Sequence, residues 1–256
     1  MENIDAVENG NAECGLGSAD LVYNAYVRGT ARVSQPHLHL RGVAVLFPNA
    51  LHITTRADSG VLALADLAGK RIAAALPGDP VPTGQNSRMD AIDAAIAALA
   101  PHHKRPETIA IGMEDAVGAL EHRRVDAADF YGGYPFRPVT EAAQRYRIHV
   151  VEFDDFASSL VKGRYPFFKP LVIPAGTYPG QTNAVRTVAI DNVLVCRAQL
   201  PADLVYRLTL TLFRGLSSIA PVHASVRQID PENGAATPIP LHDGAGRYYR
   251  ERELFR

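Results

Sequence analysis

The chain has 256 residues, of which 47% are hydrophobic, so it is long enough to bury a sizeable core in one or two domains. Its formal net charge of -1 at pH 7 excludes a general electrostatic attraction to nucleic acid or to anionic membranes. No apolar run approaches the roughly 18 residues of a membrane-spanning helix, because Pro48 ends the run at 43–47.

The amino-terminal part of the chain predicts a short helix at 3–7 and a strand at 13–16. Residues 1–5 have neither the basic region nor the apolar region of a signal peptide. His37 and His39 stand two apart, so on a strand both would face one side as metal ligands. No third ligand follows at a diagnostic spacing, and we therefore expect neither a metal site nor a cofactor.

The two cysteines, Cys14 and Cys196, are too few and too far apart in sequence to form a zinc site. The sequence alone does not show whether they meet in space. We expect both to be buried free thiols, which behave as small hydrophobic side chains in a protein core.

From residue 71 onward, the patterns of strands and helices alternate. Short apolar runs predict strands, and apolar residues at intervals of three and four predict helices. The strands are predicted at 71–76, 108–111, 125–131 and 148–153, and the helices at 85–100, 114–122 and 138–146. This alternation predicts the α/β class, with a mainly parallel sheet and helices on both faces. In the helix at 114–122 we expect Val117 and Leu120 to point inward.

The loop at 77–84 joins the carboxyl end of the first of these strands to the amino end of a helix. Backbone N–H groups and the helix dipole at such a point suit a polar or anionic ligand. Most loops of this kind only turn the chain, which is the alternative here. The candidate ligand-binding residues of this loop are Gly78, Asp79, Thr83 and Gly84.

A second loop, with the sequence YGGYP from Tyr131, should meet the first one, because ligands sit beyond the carboxyl ends of the strands in such sheets. Gly132 and Gly133 let the backbone approach a ligand closely. Tyr131 and Tyr134 add flat walls with hydroxyl groups, and Pro135 completes the candidate set. The spacing favours equally a glycine turn with two half-buried tyrosines.

Other patterns that carry chemistry are few. Arg88, in the first turns of a helix, and Arg137, after the second loop, are candidates to pair with a carboxylate ligand, although arginines at such positions are more often exposed. The chain has no Gly-x-Ser-x-Gly elbow and no phosphate-binding P-loop. Nothing in these patterns indicates catalysis.

The last third of the chain begins with a segment rich in Pro, Gly and aromatic residues, at 165–180, which predicts an ordered but irregular structure. An apolar run at 187–195 predicts a long strand that leaves one lobe and enters another. A helix then begins at Pro201, and we expect its apolar stripe to be core. The stripe consists of Leu204, Leu208, Leu212, Leu216 and Ile219. A turn at His242 is predicted to precede a final helix at 248–254.

Six motifs, in order along the chain, resemble those of one family. They are ADLVYNAY at 19–26, DLAGKR at 66–71, YGGYP at 131–135, IPAGTY at 173–178, TVAIDNVLV at 187–195 and IPLHDGAGRYYRE at 239–251. The chain resembles, over essentially its whole length, the TAXI proteins, which are the TRAP-associated extracytoplasmic substrate-binding subunits of tripartite ATP-independent transporters. The resemblance implies a two-lobed periplasmic-binding-protein fold of type II, which captures a small solute in the cleft between its lobes.

Two discontinuous lobes are predicted. Lobe one combines residues 1–70 and 192–256 and, relative to the family, lacks the first strand and helix; lobe two comprises residues 71–191. Ser18 and Asp20, at the start of the helix of ADLVYNAY, face the cleft if the resemblance holds. Helix capping is an equally favoured role for both side chains.

Members of this family bind small carboxylates such as amino acids or dicarboxylic acids, so the resemblance implies a solute of that class. In the first loop, Pro77 and Gly78 fit the family's Pro-Gly-Ser-Gly-Thr pattern, whereas residues 79–84 depart from it. Proline has no N–H to donate, and Asp79 repels an anion. Either the loop is reshaped, with Thr83 supplying the hydroxyl, or the ligand is neutral or cationic. Tyr178, in IPAGTY, is a further candidate.

The sequence therefore predicts a monomeric solute-binding protein without catalysis, which closes its lobes on a small molecule through hinges at 66–69 and 190–194 and delivers it to a TRAP permease. We expect no nucleic-acid partner and no membrane-spanning segment. The resemblance implies a periplasmic location, while the missing signal peptide leaves retention in the cytoplasm open. Two other functions stay open: an enzyme on the same fold that uses Asp79 and Asp20, and a cytoplasmic ligand-sensing module.

Overall fold

The computed structural model describes residues 2–76 and 87–254 of the chain. The helices are α1 Glu2–Glu8, α2 Ala19–Arg28, α3 Ser87–Leu99, α4 Met113–Glu121, α5 Arg137–Arg145, α6 Asp155–Arg164, α7 Ala202–Ile219 and α8 Asp243–Leu254. The strands are β1 Cys14–Ser18, β2 Leu40–Arg56, β3 Arg71–Leu76, β4 Glu107–Gly112, β5 Ala127–Gly132, β6 Ile148–Val150, β7 Lys169–Ile173 and β8 Val185–Arg197. Two short 3₁₀ helices lie at Leu64–Leu67 and Ala224–Gln228.

The chain divides into two compact units. Unit one consists of Met1–Asn49 and Ile190–Arg256, and unit two consists of Ala50–Ala189. The long strands β2 and β8 each contribute residues to both units. The functional lobes, with boundaries near residues 70 and 192, stay a prediction.

In unit one, the edge strand β1 lies antiparallel to β8, and Cys14 stands directly opposite Cys196. The two cysteines form a disulfide bond, so the expectation of two free thiols was wrong. The strand register brings together two residues that are 182 positions apart in sequence. Such a pairing depends on tertiary structure, and the spacing of the cysteines does not reveal it.

The helix α7 packs against α8 in unit one, but only part of the predicted stripe contributes to the contact. Val205 and Thr209 are fully buried, whereas Leu204 and Ile219 are exposed. The expectation that the whole leucine stripe is core was therefore wrong. Val205 belongs to a cluster with Tyr248 of α8, and of the predicted stripe Leu208 packs against this cluster.

The final helix begins at Asp243, earlier than predicted. The N–H of Gly244 donates to Nδ1 of His242, so the imidazole accepts a hydrogen bond from the first turn of α8. A side chain at Gly244 would collide with the backbone carbonyl of Ala202 at the start of α7. The glycine therefore permits the close approach of the two helices.

In unit two, the strand order is β8–β2–β5–β3–β4, with β7 paired to β8 and β6 paired to β2. The strands β3, β4 and β5 are parallel, as predicted, while β2 is antiparallel to β5 and β6, and β7 is antiparallel to β8. The α/β class is confirmed, with a sheet more mixed than the sequence suggests. The segment predicted to be irregular contains β7, which pairs with the first part of β8.

The two faces of β5 in unit two carry different kinds of side chain, and one face packs against the helices α4 and α5. Ala128 and Phe130 belong to one core cluster with Val117 and Leu120 of α4 and with Val139 of α5. Val117 and Leu120 are buried, which confirms their predicted orientation. Side chains alternate along a strand, so Asp129 and Tyr131 belong to the opposite face of β5. None of the described helices is long and apolar enough to cross a membrane.

Candidate functional site

The carboxyl end of β5 carries the residues of the YGGYP loop and begins the candidate site. Tyr131 and Gly132 are the last two residues of the strand, whose neighbours are β2 and β3. Gly132 and Gly133 are buried, Tyr134 is half-buried and Pro135 is exposed. The end of the loop at Pro135 is therefore open to solvent, whereas its two glycines lie in the interior.

Arg88, in the first described turn of α3, lies against the face of β5 that carries Asp129 and Tyr131. Its Nη1 atom is 3.5 Å from Oδ2 of Asp129, and its guanidinium carbon is 4.6 Å from the centroid of the Tyr131 ring. The Arg88 side chain is only 10% exposed. Of the two arginines proposed from the sequence, Arg88 is buried at the end of β5, whereas Arg137 is exposed at the start of α5.

The pair formed by Arg88 and Asp129 is an unusual electrostatic feature, because the Asp129 carboxylate is completely buried. Burial raises the pKa of Asp129, and the positive charge of Arg88 acts in the opposite direction. At a separation of 3.5 Å the two groups form an ion pair, but this distance is longer than that of a good charge-assisted hydrogen bond. Among the described residues, neither carboxylate oxygen of Asp129 has a hydrogen-bond partner.

The chain immediately after the YGGYP loop is fixed by a buried tyrosine. The N–H of Phe136 donates to the hydroxyl of Tyr178 at 3.1 Å, and this hydroxyl lies 2.7 Å from Nε2 of His52 in β2. The His52 and Phe136 rings stack with 6.0 Å between centroids. Burial lowers the pKa of His52 to about 4, so the imidazole is neutral at pH 7. A side chain at Gly132 would collide with the Phe136 ring.

The structure places Tyr178 differently from an open ligand-contacting position. It is 2% exposed, and its hydroxyl is engaged with Phe136 and His52. Burial raises the pKa of Tyr178 above its ordinary value. This geometry positions the loop, and the predicted contact of Tyr178 with a ligand stays a prediction.

In unit one, Ser18 and Asp20 lie at the start of α2. Ser18 is at the N-cap position, but its side chain makes no capping hydrogen bond; its hydroxyl donates to Oδ1 of Asp20 at 2.5 Å. Asp20 is buried, with 5% exposure. The two side chains therefore form a local polar pair, and their role as ligand-binding residues stays a prediction.

Four of the candidate residues, Gly78, Asp79, Thr83 and Gly84, lie outside the described residues, and so does one member of the Asp79 and Asp20 pair considered for an enzyme. Within the described ranges, no group of three His, Cys, Asp or Glu side chains could hold a metal ion. His37 is not on a strand: it is buried, with Nε2 2.8 Å from Oδ1 of Asp5.

Sequence reasoning missed Asp129 and His52. For Asp129 a signal existed, since an acidic residue inside the apolar strand prediction VDAADFY breaks the pattern and requires a partner. For His52 no signal existed, because its partner Tyr178 is 126 residues away. The structure brings Arg88, Asp129 and Tyr131 together, and it joins the YGGYP loop to Tyr178.

The family model described as "NMT1-like family" matches residues 1–252. The ATP-bound XAC2383 from Xanthomonas citri is a similar solved structure, with 10% identity, a TM-score of 0.51, and coverage of 100% of this chain and 84% of that one. The chloride-bound form of the same protein has 10% identity and a TM-score of 0.51, with coverage of 98% and 82%. The periplasmic aliphatic sulphonate binding protein SsuA from Escherichia coli has 16% identity and a TM-score of 0.45, with coverage of 99% and 62%.

At 10% identity the likeness to XAC2383 is one of fold and not of ligand. The predicted fold class, α/β of the type II periplasmic-binding-protein kind, is confirmed by the mixed sheet with flanking helices and by a likeness to XAC2383 that extends over the whole chain.

Proposed function

The chain belongs to the NMT1-like family, and from this premise we propose that it captures a small solute and delivers it to a membrane transporter without catalysing a reaction. The type II fold supports this proposal, since it is the fold of proteins that carry solutes to permeases. The six TAXI-like motifs support the narrower proposal that the transporter is of the TRAP kind. We further propose that the protein acts as a monomer.

The observation that carries the proposal is the buried Arg88 at the carboxyl end of β5, where ligands of open α/β sheets sit. A guanidinium group recognises a carboxylate through paired N–H donors, and it is the cation best suited to partly buried sites. Tyr131, on which Arg88 stacks, adds a flat aromatic wall. We propose that these side chains and the backbone of the YGGYP loop form the solute-binding surface of unit two.

The remaining candidates extend this proposal. We propose that the side chains of Ser18 and Asp20, and the hydroxyl of Thr83, also contact the solute. Capture would close the two lobes, with the crossover segments at 66–69 and 190–194 absorbing the change. The closed form would be the one that the permease recognises.

A disulfide supports an extracytoplasmic location. Disulfides form and persist in oxidising compartments such as the bacterial periplasm and are rare in the cytosol. The bond between Cys14 and Cys196 links the edge strand β1 to β8. An oxidising compartment would therefore keep this link in the folded state. We propose that the protein works in the periplasm.

The proposal is tested by thermal unfolding of the purified chain with a panel of amino acids, dicarboxylates and amines, because a ligand that binds only the folded state raises the midpoint. We expect one class to raise it, and we expect Arg88→Gln to weaken binding at least about tenfold. Arg137→Gln, which removes an exposed arginine from the first turn of α5, is the matched control and should bind as the wild type does. Equal loss in both variants, or no shift with any compound, would overturn the proposal.

A further inference from the structure

The ion pair of Arg88 and Asp129 differs from a second Arg–Asp pair, which lies directly before β5. At the opposite end of that strand, Nη2 of Arg71 is 3.1 Å from Oδ1 of Asp126, and Oδ2 of Asp126 also accepts the backbone N–H of Arg71 at 2.9 Å. Asp126 therefore has its hydrogen bonds satisfied at the surface. Asp129 is completely buried, and its nearest described cation lies at 3.5 Å.

A buried carboxylate with no hydrogen bond from any described residue is costly, because burial removes it from water without replacing the lost hydrogen bonds. A residue that served only to attach α3 to the sheet would be expected to form the short paired contacts seen at Asp126. At this separation the attraction between the two charges remains, without the short paired hydrogen bonds seen at Asp126. Asp129 thus acts on Arg88 mainly through its charge.

This charge changes what Arg88 can recognise. An isolated buried guanidinium favours anions strongly, and a second negative charge on the ligand increases the gain. With Asp129 beside it, the local net charge of the pair is zero, so a dianion meets one attractive and one repulsive group. A zwitterion presents a carboxylate to Arg88 and has its own cation to balance Asp129.

We propose that Asp129 is a positioning and specificity-determining residue: it holds the Arg88 guanidinium over Tyr131 and cancels its charge, so that the site favours zwitterionic amino acids over dicarboxylates. This inference rests on the proposed function and names the solute class of the same site. Because Asp129 is 0% exposed in its side chain, it acts through Arg88 and does not form the surface that the solute meets.

The test compares the dissociation constants of L-glutamine and succinate, measured by calorimetry, for the wild type, Asp129→Asn and the control Asp126→Asn. The wild type should prefer L-glutamine. Asp129→Asn should shift the ratio toward succinate by at least about tenfold, because the repulsive charge is removed while the shape is kept. Asp126→Asn, directly before β5, breaks the surface pair with Arg71 of β3 and should leave the ratio unchanged.

The outcomes separate the two proposals. Preference of the wild type for succinate, or an unchanged ratio in Asp129→Asn, overturns the role of Asp129 and leaves solute binding standing. Binding of neither probe to the wild type, together with no shift across the wider panel, overturns both. If Asp129→Asn does not fold, the wild-type preference still decides, and Asp129→Glu, which keeps the charge, should retain it.

Discussion

The hydroxyl of Tyr178 lies 2.7 Å from Nε2 of His52 and accepts a hydrogen bond from the N–H of Phe136. All three groups belong to unit two, and the Tyr178 ring is buried. One phenol therefore connects the strand β2 to the chain that leaves the YGGYP loop. The position of that loop depends on a residue that itself stays away from solvent.

Tyr178→Phe tests this connection. The variant removes one oxygen and leaves the Phe136 N–H and the His52 imidazole without that partner, so we expect the free energy of unfolding to fall by about 1–3 kcal/mol. The measurement is urea denaturation at pH 7.5. Tyr165→Phe is the control, because no hydrogen bond to its hydroxyl is found in the part of the chain that the structure describes. Equal losses in the two variants would contradict the assignment.

His52 makes the stability depend on pH. Burial lowers its pKa to about 4 in the folded chain, against 6.5 for an ordinary histidine. At a pH between these two pKa values, His52 is protonated in the unfolded chain but not in the folded chain. The stability is therefore full above about pH 6.5 and falls as the pH decreases toward 4. The free energy of unfolding should fall by on the order of 3 kcal/mol, since each pH unit between the two pKa values contributes about 1.4 kcal/mol.

The measurement compares free energies of unfolding at pH 7.5 and pH 4.5 in the wild type and in His52→Gln. The difference between the two pH values should be smaller in the variant, because the glutamine side chain does not titrate. His102→Gln, at an exposed histidine, is the control and should keep the wild-type pH dependence. Both variants have the same carboxyl groups, so comparing them removes the contribution of those groups to the pH dependence of stability. A variant with the full wild-type dependence would show that His52 titrates normally in the folded chain.

Gly132 is required by close packing within the loop. A Cβ atom there would lie 2.3 Å from a carbon of the Phe136 ring, which stacks on His52. We expect Gly132→Ala to displace Phe136, to lower the free energy of unfolding by about 1–3 kcal/mol and to weaken solute binding at the adjacent Tyr131. Gly163→Ala in α6 is the matched control, with nothing within 4 Å, and should be neutral or stabilising by up to about 1 kcal/mol.

Local patterns predicted the elements that depend on local chemistry. The strand predicted at 71–76 is β3, and the alternating pattern that follows it predicted α4 and β5 near their observed positions. The predicted stripe of α7 was wrong at Leu204 and Ile219, which are exposed, because the buried face of a helix is set by its partner, here α8, and not by the helix alone. The direction of β2 was equally inaccessible, since it depends on long-range pairing with β5.

The candidate site was predictable in part for the same reason. Tyr131 and the glycines after it followed from the rule that ligand loops leave the carboxyl ends of strands. Arg88 was a candidate from its place in a first helical turn, but its burial and its ion pair depend on Asp129, which is 41 positions further along the chain. The engagement of Tyr178 with His52 has no signature in either segment.

The disulfide provides the last prediction. Unreduced protein that has folded in an oxidising compartment should show no reactive thiol when it is unfolded in denaturant and titrated with a thiol reagent. After reduction it should show two, because the chain contains only Cys14 and Cys196. The double variant Cys14→Ser and Cys196→Ser should lose about 2–5 kcal/mol of unfolding free energy, since the bond that closes this long loop no longer restricts the unfolded chain. Reduced wild-type protein is the matched comparison and should show the same loss. Two reactive thiols before reduction, or equal stability with and without reductant, would mean that the cysteines are not bonded and would remove the support that they give to a periplasmic location.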